Sequence, residues 1–193
     1  GLKNQIANGS AAEMGRASLI GRSNYNYKQK YLLDGTFRYD GSAKFAKEHR
    51  WGFFPSVSAA WRISEEPFLK NKVSWVDNLK IRAGFSQTGN DAVANFNYLA
   101  GYNFGNVYNI GGTAKPGLHP TGIANPLLSW EEMTIYNGGI DFGLFRSRLF
   151  GELDVFYRLR EGIPGNRATS LPDTFGATLP IENLNSITTR GFE

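Results

Sequence analysis

Uncharged and charged residues alternate with a period of two in five long stretches of this sequence. The uncharged positions, taken in steps of two, span 31–39, 53–63, 79–85, 136–144 and 149–159, and none of them is charged. The alternate positions carry eleven charged residues: Asp34, Arg38, Asp40, Arg62, Lys80, Arg82, Asp141, Glu152, Asp154, Arg158 and Arg160. Because successive side chains of a β-strand point to opposite faces, this pattern predicts strands with one uncharged face.

The periodicity predicts six strands and almost no amphipathic helix. We place the strands at roughly 17–27, 31–40, 53–64, 79–88, 132–144 and 149–160. The composition agrees with this prediction, since 14% aromatic residues and 23 glycines favour strands and tight turns over helices. The predicted fold class is therefore all-β.

The length of the predicted strands distinguishes a membrane barrel from a soluble sheet. The strands run to about ten to twelve residues. Strands of soluble sheets favour about 5–6 residues, whereas a tilted strand needs about 9–11 to cross a bilayer. We therefore predict an antiparallel up-and-down transmembrane β-barrel portion, with the uncharged face against lipid.

The predicted connections alternate in length, as they do in outer-membrane barrels with short turns on one side and long loops on the other. Joins 28–30 and 145–148 are short, and joins 41–52, 89–131 and 161–190 are long. Join 65–78 falls on the short side but exceeds a turn. We predict a helical turn there, with Phe68, Leu69 and Trp75 tucked in.

Five aromatic residues fall at the loop end of the uncharged face when the strands are oriented by this rule. They are Tyr39, Phe53, Phe85, Tyr136 and Tyr157. Aromatic rings sit favourably at the level of lipid headgroups. We therefore predict that they form a lipid-interface girdle.

Four blocks of sequence cover roughly residues 25–160. They read YLLDGTFRYDGSAKF, RWGFFPSVSAAWRISEEPF, NLKIRAGFSQTGN and NPLLSWEEMTIYNGGIDFGLFRSRLFGELDVFY, and the tail reads LPIENLNSITTRGFE. The blocks and their order resemble the C-terminal barrel region of SusC/RagA-type TonB-dependent outer-membrane receptors. The tail, with Arg190, Gly191 and Phe192, resembles the family's entry into the next strand.

The resemblance implies a large barrel of about 22 strands in the outer membrane of a Gram-negative cell. It also implies a plug inside the barrel, a SusD-like surface lipoprotein that captures glycans or peptides, and import powered by TonB. The plug, the TonB-contacting segment and the last strand of the family are not among these residues. Six strands would leave two unpaired edges in lipid, so we expect a fragment of a longer receptor.

Candidate catalytic and metal sites are poorly supported by the sequence. The two histidines, His49 and His119, fall in predicted loops, and the chain has no cysteine. We expect no enzyme activity, no catalytic residue, no metal and no cofactor. The formal charge of +4 comes from interspersed residues, so no nucleic-acid partner is indicated.

The long connection 89–131 is the best candidate for a substrate-binding loop. It carries Tyr98, Tyr102, Phe104 and Tyr108 among Asn and Gly residues. Aromatic faces flanked by amides suit sugar rings and peptides, so these residues could contact substrate. Alternatively, the rings pack the loop onto its neighbours or onto the lipoprotein.

The charged face is predicted to line the lumen of the barrel. The predicted lumen-facing residues are Arg38, Asp40, Arg62, Arg82, Glu152, Asp154 and Arg158. They could guide a ligand, or they could pair with one another or dock the plug, because charges in a lumen need partners or water.

A soluble β-sandwich module that binds carbohydrate is the alternative to the barrel. In such a module the uncharged face would be a core shared between two sheets. The long strands and their aromatic ends favour the barrel.

Overall fold

The structure is a computed structural model, and it describes residues 14–120, 122–169, 172, 175 and 177–193. Its strands are β1 Arg16–Tyr27, β2 Tyr31–Ser42, β3 Trp51–Arg62, β4 Val76–Asn90, β5 Tyr102–Ile110, β6 Thr113–Pro120, β7 Glu131–Leu144, β8 Leu149–Asn166 and β9 Ile181–Phe192. Seven of them form one antiparallel sheet in the order β1-β2-β3-β4-β7-β8-β9, and β5 and β6 form a separate hairpin. The all-β prediction is confirmed. The seven strands form an open sheet, as expected of part of a larger barrel.

The strand register keeps residues of like character on the same face. Tyr31, Trp61, Ile81, Ile140 and Leu153 lie directly opposite one another from β2 to β8. The adjacent row, on the other face, consists of Leu32, Ala60, Arg82, Gly139 and Asp154. We call the first face the apolar face and the second the charged face. A slip of one residue would exchange them, so this register fixes which side chains lie on the apolar face.

The apolar face has no second layer of structure over it in the part of the chain that the structure describes. Leu33 is 48% exposed, Tyr136 51% and Leu153 53%. In a β-sandwich these side chains would be buried against an opposing sheet. The sandwich alternative is therefore not supported, because no opposing sheet covers this face within the described residues.

Short connections lie at one end of the sheet, which we call the turn side, and they comprise 28–30, 63–75 and 145–148. The middle one forms a 3-10 helix at Ile63–Glu65 and α1 at Pro67–Lys70, so the predicted helical turn is present. Phe68 and Trp75 are 56% and 51% exposed, so the prediction that they are tucked in is wrong. Trp75 instead stacks on Phe145, with ring centroids 5.8 Å apart. Of the helices that the structure describes, none is long and apolar enough to cross a membrane.

Two of the long connections, which lie at the opposite or loop side, differ from the prediction. Residues 161–190 are not one loop, because β8 continues to Asn166 and β9 begins at Ile181. The periodicity did not predict β9 because its sequence, IENLNSITTRGF, lacks a clear apolar alternation. The resemblance placed the entry into a next strand near Arg190, whereas β9 already begins at Ile181. Within 89–131, residues 102–120 form the hairpin of β5 and β6.

A small packed cluster lies at the loop side, and we call it the loop-side cluster. It consists of Phe45, Phe54 and Trp130, and Leu128, two residues before Trp130, is also fully buried. The Trp130 ring lies 5.3 Å from Phe45 and 5.4 Å from Phe54, and its Nε1 donates to the Arg50 carbonyl at 3.1 Å. These contacts hold the connection between β2 and β3 against the start of β7.

Candidate lipid-facing, lumen and loop sites

The five predicted girdle residues all lie on the apolar face, in two groups. Tyr39 is directly opposite Phe53, while Phe85, Tyr136 and Tyr157 lie opposite one another on the next three strands. The register places Val57, four residues from Phe53, opposite Phe85. The two groups are therefore offset along β3. A belt that is level in the membrane requires such an offset, because the strands of a barrel are tilted.

The rings within these groups contact one another and further aromatic residues. The centroids of Phe85 and Tyr136 are 5.3 Å apart, and those of Tyr136 and Tyr157 are 6.4 Å apart. Tyr39 stacks on Trp51, with ring centroids 4.9 Å apart. Trp51 was not among the predicted girdle residues. Trp51 lies over Gly41 of the adjacent strand, in space that a Cβ atom there would fill. The glycine thus lets the indole lie flat against the sheet.

A second aromatic group lies at the turn side of the apolar face, and the sequence analysis missed it. Tyr27, Tyr31 and Trp61 stack in a row across β1, β2 and β3, with neighbouring ring centroids 6.4 Å apart. Tyr31 and Trp61 were among the uncharged positions of the predicted strands. Their place next to the turn-side connections could have indicated a second girdle. Outer-membrane barrels carry aromatic girdles at both interfaces.

The loop-side aromatic residues and the turn-side row of Tyr27, Tyr31 and Trp61 are separated by a distance that suits the hydrocarbon layer of a bilayer. Tyr31 and Tyr39 are eight residues apart on β2, as are Phe53 and Trp61 on β3. Eight residues of antiparallel strand span about 27 Å, which becomes about 20 Å in height at the tilt of a barrel. The apolar band of outer-membrane barrels is about 25 Å tall.

An ion-pair network occupies the turn half of the charged face. Arg82 is at its centre: its Nε lies 2.7 Å from Asp141 Oδ1, and its Nη2 lies 2.8 Å from Asp154 Oδ2 and 3.6 Å from Glu152 Oε2. Lys80 also pairs with Asp141. The network joins β4, β7 and β8. Three of the predicted lumen residues are therefore brought together, because Glu152 and Asp154 both approach Arg82.

The other predicted lumen residues also lie on the charged face but outside this network. Arg38 pairs with Asp40 on the same strand at 3.0 Å. The Arg158 guanidinium lies over the Phe156 ring at 5.6 Å. Arg62 Nε is buried and has no hydrogen-bond partner among the described residues. A cavity of about 580 Å³ lies on this sheet and is lined by Asp34 and Arg82, together with Ser58 and Gly84.

Two buried carboxylates at the loop side were not identified from the sequence as structural groups. Asp91, which is 5% exposed, accepts from Ser42 Oγ at 2.7 Å and pairs with Arg16. Glu131 is 6% exposed and pairs with Arg160. The two residues lie where the connection 91–130 meets the sheet: Asp91 directly follows β4, and Glu131 is the first residue of β7. Their contacts fix these two strand ends.

The four predicted substrate-binding residues do not form one surface. Tyr102 and Phe104 lie opposite Pro120 and Leu118 on the hairpin and are 64% and 81% exposed. A bulge between Gly105 and Val107 shifts the alternation, so Tyr108 lies opposite Lys115 on the other face. Tyr98 is half-buried in the turn before the hairpin.

Glu66 ties the turn-side helix to the aromatic row. It accepts from Tyr31 Oη at 2.7 Å, from Trp61 Nε1 at 3.3 Å and from Lys30 Nζ at 3.2 Å. The Tyr31 hydrogen bond is the main cause that lowers the pKa of Glu66 below its ordinary value of 4.5. Glu65 binds only Lys70 among these side chains, at 2.8 Å, and that contact lowers the pKa of Glu65.

Comparison with known proteins agrees with this geometry. Residues 4–193 match the family model described as TonB dependent receptor-like, beta-barrel. The chain belongs to the TonB-dependent receptor β-barrel family. The predicted resemblance to SusC/RagA-type receptors is thereby confirmed at the level of the family.

Named TonB-dependent receptors are similar to this chain over nearly all of its length. TonB-dependent receptor P39 of Formosa agariphila is 36% identical over 177 residues, which are 92% of this chain and 16% of that receptor. TonB-dependent receptor SusC of Bacteroides thetaiotaomicron is 35% identical over 180 residues, which are 91% of this chain and 18% of that receptor. The chain thus spans less than a fifth of the length of the TonB-dependent receptors it matches.

A solved transporter has the same arrangement of strands. The RagAB peptide importer in its open-open state superposes with a TM-score of 0.80 and 26% identity, over 94% of this chain and 19% of the importer chain. Its closed-closed state gives a TM-score of 0.77. The open seven-stranded sheet is therefore a portion of a TonB-dependent receptor barrel.

Proposed function

We propose that residues 1–193 form part of the barrel wall of a longer TonB-dependent receptor in the outer membrane of a Gram-negative cell. The observation that carries this proposal is the exposed apolar face, bounded by aromatic rings at both ends on strands long enough to cross a bilayer. A charged side chain near the middle of such a face would cost about 2–4 kcal/mol, and the alternation places the charges on the other face. In this arrangement the charged face lines the lumen.

The receptor imports oligosaccharides or peptides together with a SusD-like surface lipoprotein, and a plug region elsewhere in the receptor engages TonB. Support comes from the relatives: one bears the name SusC, and the RagAB neighbour is named a peptide importer.

Substrate contacts are assigned to the aromatic residues of the long connection, Tyr98, Tyr102, Phe104 and Tyr108. Tyr102 and Phe104 are the strongest of the four, because they share one exposed face of the hairpin with Val107 and Leu118. An isolated two-stranded hairpin is marginally stable in water, so this apolar face requires a covering ligand or protein. A sugar ring or an apolar peptide side chain fits such a face.

Uptake by the full-length receptor tests the transport proposal. Cells that express the receptor and its lipoprotein partner are given fluorescent peptide or oligosaccharide pools, with and without a functional TonB. TonB-dependent uptake of one pool is expected. Tyr102→Ala/Phe104→Ala should weaken substrate binding about tenfold, whereas Tyr108→Ala, on the other hairpin face, should change it less. Equal uptake without TonB would overturn the proposal.

Extraction behaviour tests the membrane assignment independently of transport. The receptor is expected in the outer-membrane fraction, to require detergent for extraction, and to migrate differently on gels before and after heating. A 193-residue chain that purifies as a folded monomer without detergent would contradict the assignment.

A further inference from the structure

The turn side of the sheet carries a concentration of positive charge. The three turn-side connections, 28–30, 63–75 and 145–148, total 20 residues and contain six basic and two acidic residues. The three loop-side connections, 43–50, 91–130 and 167–180, total 62 residues and contain five basic and three acidic residues. Net charge per residue is therefore several times greater on the turn side.

Among the residues that the structure describes, two of the six turn-side cations have a carboxylate partner. Lys30 pairs with Glu66 at 3.2 Å and Lys70 pairs with Glu65 at 2.8 Å. The other four are exposed, and within the described part of the chain they have no carboxylate within 4.0 Å: Lys28, Lys72, Arg146 and Arg148. We call these four residues the cationic rim. They require water or an anion from outside this chain.

The turn between β7 and β8 holds two of the rim residues in a fixed place. Phe145, Arg146 and Ser147 have φ values of 57°, 61° and 58°, which residues other than Gly, Asn and Asp rarely adopt. Two hydrogen bonds anchor the turn to the start of β4: Phe145 N–H donates to the Trp75 carbonyl at 2.8 Å, and Ser147 N–H donates to Asp77 Oδ2 at 2.9 Å. This fold of the turn presents Arg146 and Arg148 on either side of an anchored serine.

The cationic rim is continuous with the aromatic residues of the apolar face. Trp75 stacks on Phe145, directly before Arg146, and Lys28 Nζ lies 5.2 Å from the Tyr27 ring, which begins the row of Tyr27, Tyr31 and Trp61. Aromatic rings of this kind sit at the headgroup level, so the adjacent cations reach the phosphates of the same leaflet. Each Lys or Arg near an anionic bilayer surface adds to binding.

We propose that the cationic rim binds the phosphodiester headgroup of an anionic phospholipid in the leaflet on the turn side. Arg146 and Arg148 form its centre, and the Trp75–Phe145 stack contacts the glycerol and upper acyl region. This site rests on the membrane location proposed above. Charge complementarity and continuity with the lipid-facing belt favour a bilayer lipid over an acidic protein or a free anion.

Native mass spectrometry of the full-length receptor in detergent micelles tests the site. The receptor is titrated with phosphatidylglycerol, phosphatidylethanolamine or inorganic phosphate. We expect phosphatidylglycerol to bind in preference to phosphatidylethanolamine, and inorganic phosphate at equal concentration not to displace it. Arg146→Gln/Arg148→Gln should weaken phosphatidylglycerol binding about tenfold, and raised salt should reduce the difference. The substituted residues keep the same backbone requirement, because glutamine and arginine are alike in the left-handed region.

Matched variants separate a local site from general attraction. Lys28→Gln/Lys72→Gln should also weaken phosphatidylglycerol binding, whereas Lys47→Gln/Lys115→Gln, which removes the same charge from the loop side, should not. Arg146→Lys/Arg148→Lys should retain most of the binding, because the attraction is between charges. Equal loss in the loop-side variant, or unchanged binding in Arg146→Gln/Arg148→Gln, would overturn the site.

The outcomes also distinguish failure of the site from failure of the membrane assignment. A wild-type receptor that is not in the outer membrane and is not heat-modifiable would remove the basis for both proposals. Normal insertion with no preference for phosphatidylglycerol would overturn the lipid site alone. Displacement by inorganic phosphate would show a free-anion site instead. Protection of Arg146 and Arg148 from phenylglyoxal in lipid-free micelles would show that another protein segment covers the rim, and would also overturn it.

Discussion

Arg82 on β4 donates to Asp154 on β8 at 2.8 Å, across the intervening strand β7. The two strands are separated by two strand spacings, about 10 Å, so only a long side chain can bridge them. The bridge passes over Gly139, where a Cβ atom would meet Asp154 Oδ1 and lie 3.0 Å from Arg82 Nη2. A glycine at this position therefore lets the network close across three strands.

Gly139→Ala is expected to break this bridge. The methyl group would push Asp154 and Arg82 apart and leave both charges less well paired, so we expect the free energy of unfolding of the full-length receptor to fall by about 1–2 kcal/mol. Denaturant titration in detergent measures it. Gly138→Ala is the control, because a Cβ at Gly138 would meet its nearest neighbour at 3.7 Å, an ordinary contact. Equal effects of the two variants would contradict the bridging role of Gly139.

Asp154→Asn and Glu152→Gln should differ although both remove a carboxylate from β8. Asp154 lies 2.8 Å from Arg82 and its side chain is 27% exposed, whereas Glu152 lies 3.6 Å away and is 72% exposed. Water screens the exposed pair, so we expect a loss of about 1 kcal/mol for Asp154→Asn and less than about 0.5 for Glu152→Gln. The same denaturant titration would reveal a reversed order, which would argue against the geometry of the network.

Val57→Arg should impair membrane insertion more than Ser58→Arg. Val57 lies midway between Phe53 and Trp61 on the apolar face, and Ser58, its neighbour, lies on the charged face opposite Asp34. Arginine at the bilayer midplane costs about 2–4 kcal/mol, whereas arginine beside Asp34 gains a partner. The fraction of heat-modifiable receptor in the outer membrane measures insertion. Equal fractions for the two variants would mean that lipid does not contact this face.

The turn-side connection should loosen in acid through Glu66. Hydrogen bonding from Tyr31 lowers the pKa of Glu66 below 4.5, so its ionised form is favoured in the folded protein. The resulting stabilisation is present above the ordinary pKa and is lost as the pH falls through the lower, folded value. Amide hydrogen exchange over 63–75, corrected for the intrinsic effect of pH, should therefore become faster in strong acid.

Glu66→Gln should remove this pH dependence and reduce protection at neutral pH, because the charge that pairs with Lys30 is lost. Glu65→Gln is the matched control, since Glu65 contacts Lys70 rather than the aromatic row. An unchanged acid response in Glu66→Gln would assign the transition to another group.

Six of the seven sheet strands could be inferred from the sequence because each shows the period of two that is typical of a strand with one apolar and one polar face. β9 could not, because polar residues such as Asn183, Asn185 and Thr188 interrupt its alternation. It is a strand because β8 provides a partner for its backbone. The hairpin of β5 and β6 was missed because an Asn- and Gly-rich stretch reads equally well as an irregular loop.

The candidate sites could likewise be predicted from the sequence only in part. Position along a strand placed Arg82, Glu152 and Asp154 on the charged face, but the approach of both carboxylates to Arg82 depends on the register between β4, β7 and β8. The bulge beside Gly105 likewise separated Tyr108 from Tyr102 and Phe104, which a strict period of two would have kept on one face. The row of Tyr27, Tyr31 and Trp61 forms only because β1, β2 and β3 are aligned in register.

The sequence by itself determined which side chains lie on the apolar face, because the period of a strand is a local property of the chain. It also determined that the strands are longer than those of ordinary soluble sheets and that short and long connections alternate, although β4 and β8 are longer than predicted. Only the tertiary structure decided which charges neutralise one another, which aromatic rings stack and which cations stay exposed at the turn side. These relationships join residues far apart in the chain, so they depend on strand register rather than on any local pattern.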